Sequence, residues 1–155
     1  MNTKSVQTDR KPGFISSILQ NKCTRCRRGK LFQNDNPYDL KNVMKMHEHC
    51  SVCGQILEPE VGFYYGTGFV SYGLSIMVCI VTFILWALII GFSLNDNRIF
   101  WWIGVNAFLL LVLQPPLMRL SRTVWLAIFV HYDPEWKDKP PPAAERTNDS
   151  MKNNW

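Results

Sequence analysis

The chain has 155 residues, a formal net charge of +5 and a hydrophobic fraction of 47%. This length allows one domain, or a small domain with an attachment. The average hydrophobicity hides a division, because residues 1–58 are polar and basic, residues 69–92 are almost wholly apolar, and residues 137–155 are polar and rich in proline. Membrane topology and anionic lipid headgroups account for basic flanks of this kind, so the positive charge does not require a nucleic-acid partner.

Two pairs of cysteines dominate the polar N-terminal part, which follows a tail over residues 1–12 that we expect to be disordered. The pairs are Cys23 and Cys26 in CTRC, and Cys50 and Cys53 in CSVC. Two CxxC knuckles at about this separation are typical of a zinc ribbon, since each tight turn offers two sulfurs to a tetrahedral ion. We therefore predict a zinc ribbon over residues 13–60.

Other roles for these cysteines have less support from the sequence. Disulfides are disfavoured in the reducing cytoplasm, where we place this segment, and a thioredoxin-like redox pair needs a βαβ fold that about 60 mostly polar residues cannot supply. His47 and His49 precede Cys50, and either could replace a cysteine as ligand, but with four spaced cysteines we predict both as solvated loop residues. A closed four-cysteine site leaves no position for water or substrate, so the zinc is predicted to be structural.

Glycines and basic residues surround the knuckles. Both knuckles run on to a glycine, Gly29 and Gly54, which we expect to let the chain turn away sharply. No aromatic residues interleave the basic cluster at Arg25, Arg27 and Arg28 to stack on bases, so we predict no nucleic-acid binding.

A run of 24 residues without charge, FVSYGLSIMVCIVTFILWALIIGF, extends from Phe69 to Phe92. As a helix at 1.5 Å per residue it reaches about 36 Å, enough to cross a hydrocarbon core of roughly 30 Å. It starts far from Met1 and no secretory pattern precedes it, so it is not a signal peptide. We predict a membrane span over 69–92.

A second apolar run covers 99–118, and the link SLNDNR between the two runs is short. Two long helices joined in this way must lie side by side and antiparallel, so residues 61–118 are predicted to form a transmembrane hairpin. The link contains one cation, Arg98, whereas Lys and Arg are frequent on both flanks. The positive-inside rule therefore predicts that both termini are cytoplasmic.

Small and polar residues inside the spans suggest how the hairpin packs. Ser71, Ser75, Cys79 and Thr82 share one face of the first helix. Close packing along small side chains associates helices in lipid, and Asn106 on the second span needs a polar partner there. We predict that this small-residue stripe faces the second span near Asn106; the alternative is that it faces outward and docks a partner's helix.

The segment after the second span begins with Pro115 and Pro116, which predict a kink or a restart of the helix. The stretch that follows is too short and too charged for a third span, so we predict an interfacial helix within 119–136. Its residues Arg119, Arg122 and Trp125 are predicted to lie at the membrane interface or to dock a partner. The tail over 137–155 is predicted to be disordered.

Three stretches together carry a resemblance: CTRCRRGKLF, CSVCGQILEPEVGFYYGTGFVSYG and PPLMRLSRTVWLAIFVHYDPEW. They resemble the bacterial membrane protein family described as domain of unknown function 983, over about residues 13–136. The resemblance implies a small integral membrane protein with no established enzymatic activity. In some bacteria such proteins are encoded beside cytochrome c oxidase and its assembly factors, which implies by association a role in respiratory complex assembly.

The predicted fold is an α-helical membrane protein, a two-span transmembrane hairpin with an N-terminal cytoplasmic zinc ribbon and a short interfacial helix. The predicted function is that of a non-enzymatic accessory protein of the bacterial inner membrane, with zinc as cofactor and with the lipid bilayer and subunits of a membrane complex as partners. No catalytic residues and no small-molecule substrate are predicted. The alternative is a metal-handling protein that delivers zinc or copper. An enzyme with a membrane-embedded site is disfavoured, because the first span contains no charged residue.

Overall fold

The computed structural model describes residues 12–60, 62–91 and 96–143. It contains a short helix α1, Phe14–Leu19; a 3₁₀ turn, Phe63–Gly66, that leads into helix α2, Thr67–Ile89; and a long helix α3, Arg98–Phe129. Within the described ranges there is no β-strand, and three isolated bridges join the loops between α1 and α2. Two helices long and apolar enough to cross a membrane confirm the predicted helical hairpin at that level.

Helices α2 and α3 are antiparallel neighbours, and three hydrogen bonds fix their register. Near the link, Arg98 donates to the Ile90 carbonyl at 2.9 Å. In the middle, the Thr82 hydroxyl bonds the Asn106 side-chain oxygen at 2.9 Å, and at the other end the Trp125 indole donates to the Phe63 carbonyl at 2.7 Å. Large apolar side chains cover the outer faces of both helices, as a lipid environment requires.

The small-residue stripe meets Asn106 over part of its length. The Asn106 amide donates to the sulfur of Cys79 at 3.3 Å, in addition to the bond with Thr82. Ser75 instead donates to the carbonyl of Ser71 in its own helix. The polar contact in the middle of the hairpin therefore consists of Cys79, Thr82 and Asn106, and the two serines lie half-buried beyond it.

Helix α3 continues through Pro115 and Pro116 to Phe129, so the helix predicted within 119–136 is not a separate element but the C-terminal part of α3. The end of the second span at residue 118 stays a prediction. An interior proline removes a hydrogen bond and costs about 3 kcal/mol or more. The helix persists because its C-terminal part is buried against the loops that carry the cysteines, whose contacts outweigh this cost. It ends at Phe129, and residues 130–133 are irregular.

The predicted tails are only partly within the described residues. Residues 137–143 of the predicted tail are described, and the carbonyls of Lys139 and Pro140 there accept hydrogen bonds from Arg25. The guanidinium of Arg27 likewise donates a hydrogen bond to the carbonyl of Pro12. Residues 1–11 and 144–155 lie outside the described residues.

Candidate metal centre

The four cysteines of the two knuckles converge at one buried point. Their sulfur atoms all lie within 4.8 Å of one another. Cys23 and Cys53 are 3.7 Å apart at sulfur, as are Cys26 and Cys50. A disulfide needs about 2.05 Å, so these are free thiols. Tetrahedral zinc with bonds of roughly 2.3 Å requires sulfurs about 3.8 Å apart, and the cluster therefore fits a single four-coordinate ion.

The two knuckles have the same backbone construction. In the first, the Arg27 amide donates to the Cys23 carbonyl at 2.7 Å; in the second, the Gly54 amide donates to the Cys50 carbonyl at 2.9 Å. The donor residue has positive φ in both, 57° at Arg27 and 70° at Gly54. The expected glycine turn is thus present in the second knuckle, whereas in the first an arginine adopts the left-handed conformation.

Gly29 has a different role from the predicted one. A Cβ atom at this position would lie 2.3 Å from the sulfur of Cys50. Its carbonyl also accepts the amide of Cys23 at 2.8 Å. The first knuckle therefore needs glycine here because the backbone passes directly against a sulfur of the second knuckle.

The proximity of the thiols shifts their protonation. Hydrogen bonding to Cys26 raises the pKa of Cys23 above its usual range, and the reciprocal bond from Cys23 lowers the pKa of Cys26. Hydrogen bonding from Cys23 also lowers the pKa of Cys50 to about 6. The cluster thus divides into two thiols whose pKa is raised, Cys23 and Cys53, and two whose pKa is lowered, Cys26 and Cys50, and the lowered pair favours thiolate, the form that binds metal.

The cysteines belong to an apolar core that includes part of α3. Leu31, Phe32, Met46 and Leu57 surround the sulfurs, and Leu126 of α3, fully buried, completes the cluster. We refer to residues 13–60 as the cysteine domain. Its core is shared with the helix that follows the second apolar run, so the domain is docked on α3.

Arg119 and Arg122 hold this contact together, and both side chains are buried within the protein rather than exposed on its surface. Arg119 is 3% exposed and donates to the carbonyls of Val43 at 2.8 Å, Asn34 at 2.9 Å and Asn36 at 3.0 Å. Arg122 is also buried and donates to the Met44 carbonyl at 2.9 Å. The Arg119 guanidinium is thus satisfied by backbone of the cysteine domain, whereas Arg122 makes one such bond, lies over the Tyr64 ring at 4.9 Å and has a buried Nε without a hydrogen-bond partner.

Trp125 joins the same junction from another side. Besides its hydrogen bond to Phe63, its ring packs beside Phe63 and Phe129 and covers Gly66, where a Cβ would lie 2.1 Å from the indole. Half-buried Trp125 thus packs against the start of α2, and its indole N–H donates to a carbonyl of the same protein.

The knuckles are also tied to the chain after α3. Buried Arg25 pairs with Asp133 at 3.1 Å, and hydrogen bonds from the Glu135 backbone and from Arg25 lower the pKa of Asp133. The guanidinium of Arg27 lies over the ring of Tyr132 at 4.5 Å. Arg25 and Arg27 of the basic cluster thus connect the first knuckle to the chain after α3.

His47 and His49 are exposed and lie outside the sulfur cluster.

Sequence reasoning found the four cysteines but missed the acceptors of Arg119 and Arg122. These acceptors are backbone carbonyls, which every residue has, so no pattern of side chains marks them. Comparisons of the chain with protein-family models, with curated proteins and with solved structures found no match.

Proposed function

We propose that this chain is a non-enzymatic accessory protein of the bacterial inner membrane, in which structural zinc holds a small cytoplasmic domain on a two-span hairpin. In this proposal it acts as an adaptor that assembles or stabilises a membrane complex. The observation that carries the proposal is the shared core, in which four converging cysteines and Leu126 of α3 pack together.

Zinc is the metal that these ligands favour. Tetrahedral sets of four sulfurs bind zinc or iron, and zinc is the usual ion of paired CxxC knuckles. Full coordination by thiolate leaves no position for water or substrate, which favours a structural role over a catalytic one.

Burial supports retention of the metal over delivery. All four cysteines are buried, and the backbone at Gly29 closes against the sulfur of Cys50. A carrier has to expose its sulfurs to the thiolates of an acceptor, and this arrangement hides them. We therefore place the metal-delivery alternative second.

The adaptor role draws on the resemblance and on the junction. The motifs that carry the resemblance include Tyr64, Arg119, Arg122, Trp125 and Asp133, and each of these joins the cysteine domain, the start of α2 or the chain after α3. A domain fixed in this way presents its surface at a constant height above the membrane, as suits the docking of a membrane-complex subunit. The respiratory context, of cytochrome c oxidase type, comes from the resemblance alone.

Purification from native membranes tests the proposal. We expect one zinc per chain by metal analysis, loss of zinc in Cys50→Ser, and retention in Cys79→Ser, a matched control outside the cluster. Subunits of a respiratory complex should co-purify, and chelator should remove zinc slowly. Full zinc occupancy in Cys50→Ser would refute the site, whereas rapid exchange with a thiol acceptor would favour delivery.

Topology is tested separately. Reporter fusions at Asn2 and Trp155 should give cytoplasmic signals, and a fusion at Asp96 a periplasmic one. A periplasmic signal from either terminus would contradict the orientation and would reopen the possibility of disulfides.

A further inference from the structure

The position of Arg119 along α3 locates the membrane boundary, if α3 spans the bilayer as proposed above. Between Arg98 and Arg119 the helix has 20 residues and no charge. At 1.5 Å per residue this stretch is about 30 Å long, the thickness of the hydrocarbon core. The register of the hairpin places Arg119 level with Phe69, where the apolar run of α2 begins. Arg119 therefore lies at the cytoplasmic edge of the hydrocarbon.

Its side chain brings a loop of the cysteine domain to the same level. Side chains on a helix lean toward the helix N-terminus, which for α3 is the direction of the bilayer. The three carbonyls that receive the Arg119 guanidinium belong to Asn34, Asn36 and Val43. The segment 34–43, which we name the boundary loop, thus lies beside the turn of α3 that leaves the hydrocarbon.

The boundary loop is built around one carboxylate. Asp39 accepts the side-chain amides of Asn34 at 2.7 Å and Asn42 at 2.9 Å. The backbone amide of Asn42 also donates a hydrogen bond to the backbone carbonyl of Asp39 at 3.0 Å. These bonds close the loop on itself, so its tip has a defined shape.

The tip exposes apolar side chains that water does not favour. Leu40 is 72% exposed and Tyr38 is 53% exposed, and both are adjacent to Asp39 in the sequence. Lys41 and Lys45 are exposed next to them. Leucine and tyrosine with flanking lysines form the composition of segments that lie in the headgroup region of an anionic bilayer.

We propose that the boundary loop inserts into the membrane interface, with Tyr38 and Leu40 contacting lipid and Lys41 contacting lipid phosphate. The occupant is bilayer lipid because the loop is held at Arg119, level with Phe69 of the hairpin, whose side chain is 82% exposed. The cysteine domain is thereby a second membrane-contacting element of the protein.

Photo-cross-linking from single positions tests this assignment. A photoreactive phenylalanine analogue replaces Tyr38, Leu40, Val52 or Phe108 in the full chain, in native membranes. Phe108, which is exposed in the middle of the uncharged stretch 99–118 of α3, is the positive control. Val52 is the matched control, since it is an exposed apolar residue of the second knuckle. This knuckle lies next to Pro141, beyond the end of α3 and therefore away from the proposed membrane boundary. The intact mass after irradiation reports a lipid adduct, and retained zinc shows that each variant is folded.

We expect lipid adducts at positions 38, 40 and 108 and none at 52. An adduct at 108 with none at 38 or 40 overturns the inserted loop and leaves the proposed spans intact. Cross-links from 38 or 40 to a polypeptide overturn lipid as the occupant, and equal lipid adducts at 52 show that the contact is not specific to the loop. Absence of an adduct at 108 contradicts the spans themselves, and the loop insertion with them.

Discussion

Replacing Gly29 by alanine tests the metal centre without removing a ligand. The new Cβ would lie 2.3 Å from the sulfur of Cys50, whereas ordinary contacts begin at 3.4 Å. The φ of Gly29 lies outside the left-handed region, so the change adds no backbone strain of its own. The whole effect therefore comes from the collision with the sulfur.

The size of this effect follows from the rigidity of metal ligation. The two contact distances differ by about 1.1 Å, and a metal–ligand distance tolerates only about 0.2 Å. Either the first knuckle shifts or the sulfur leaves the ion. Overpacking in a closed site costs about 1–3 kcal/mol, which corresponds to zinc binding that is roughly 5- to 150-fold weaker.

Zinc competition with a calibrated chelator measures the change, and the absorption of the cobalt-substituted protein reports the sulfur ligands. Gly73→Ala is the control, because a Cβ there has no neighbour within 4 Å. We expect weakened binding and an altered cobalt spectrum in Gly29→Ala only. Unchanged affinity with an unchanged spectrum would refute the close approach of the two knuckles around one ion.

The remaining predictions concern the junction, the hairpin and the metal. Arg119→Met leaves three carbonyls without their donor and should destabilise the protein by at least about 3 kcal/mol, measured by thermal unfolding in detergent. It should also allow new protease cleavage between residues 33 and 46. The control Gln114→Met, at an exposed site on α3, should neither destabilise the protein nor allow this cleavage. Asn106→Leu should lower the free energy of unfolding in detergent by about 1 kcal/mol, and the exposed control Ala107→Leu should leave it nearly unchanged. Equal effects of the two changes would contradict the contact of Asn106 with Cys79 and Thr82. Removal of metal should make residues 22–57 protease-sensitive while most of the helical circular dichroism persists, because the sulfurs belong to the core of the cysteine domain and only the turns of α3 beyond Pro116 depend on that domain. Loss of nearly all helical signal would contradict this separation.

The features that the sequence predicted well are those with a strong chemical pattern. Paired CxxC spacing predicted the set of four cysteines that converge, since few other uses of such pairs fit a short polar segment. Long uncharged runs predicted the two helices, since apolar length depends little on the rest of the fold. The polar group Asn106 was expected to meet the small-residue stripe, and it lies against Cys79 and Thr82.

Local rules failed where tertiary contacts decide the backbone. Pro115 and Pro116 predict a break, yet α3 passes through them because the turns beyond are held by the cysteine domain. The proline-rich stretch after Lys137 predicts disorder, yet Arg25 binds carbonyls at Lys139 and Pro140. In both cases the stabilising partner lies more than 60 residues away in the sequence, outside the window of any periodicity argument.

Arg119 shows why a ribbon merely tethered to a hairpin is an inadequate description of this fold. A guanidinium as buried as that of Arg119 is costly unless its donors are satisfied. The carbonyls of the boundary loop satisfy them, and these carbonyls in turn would lack donors without the arginine. The loop has no apolar core of its own, so its fixed position depends on α3, and the burial of the cation on α3 depends on the loop. Each part thus satisfies polar groups that the other could not leave unpaired, and this mutual dependence joins the cysteine domain to α3.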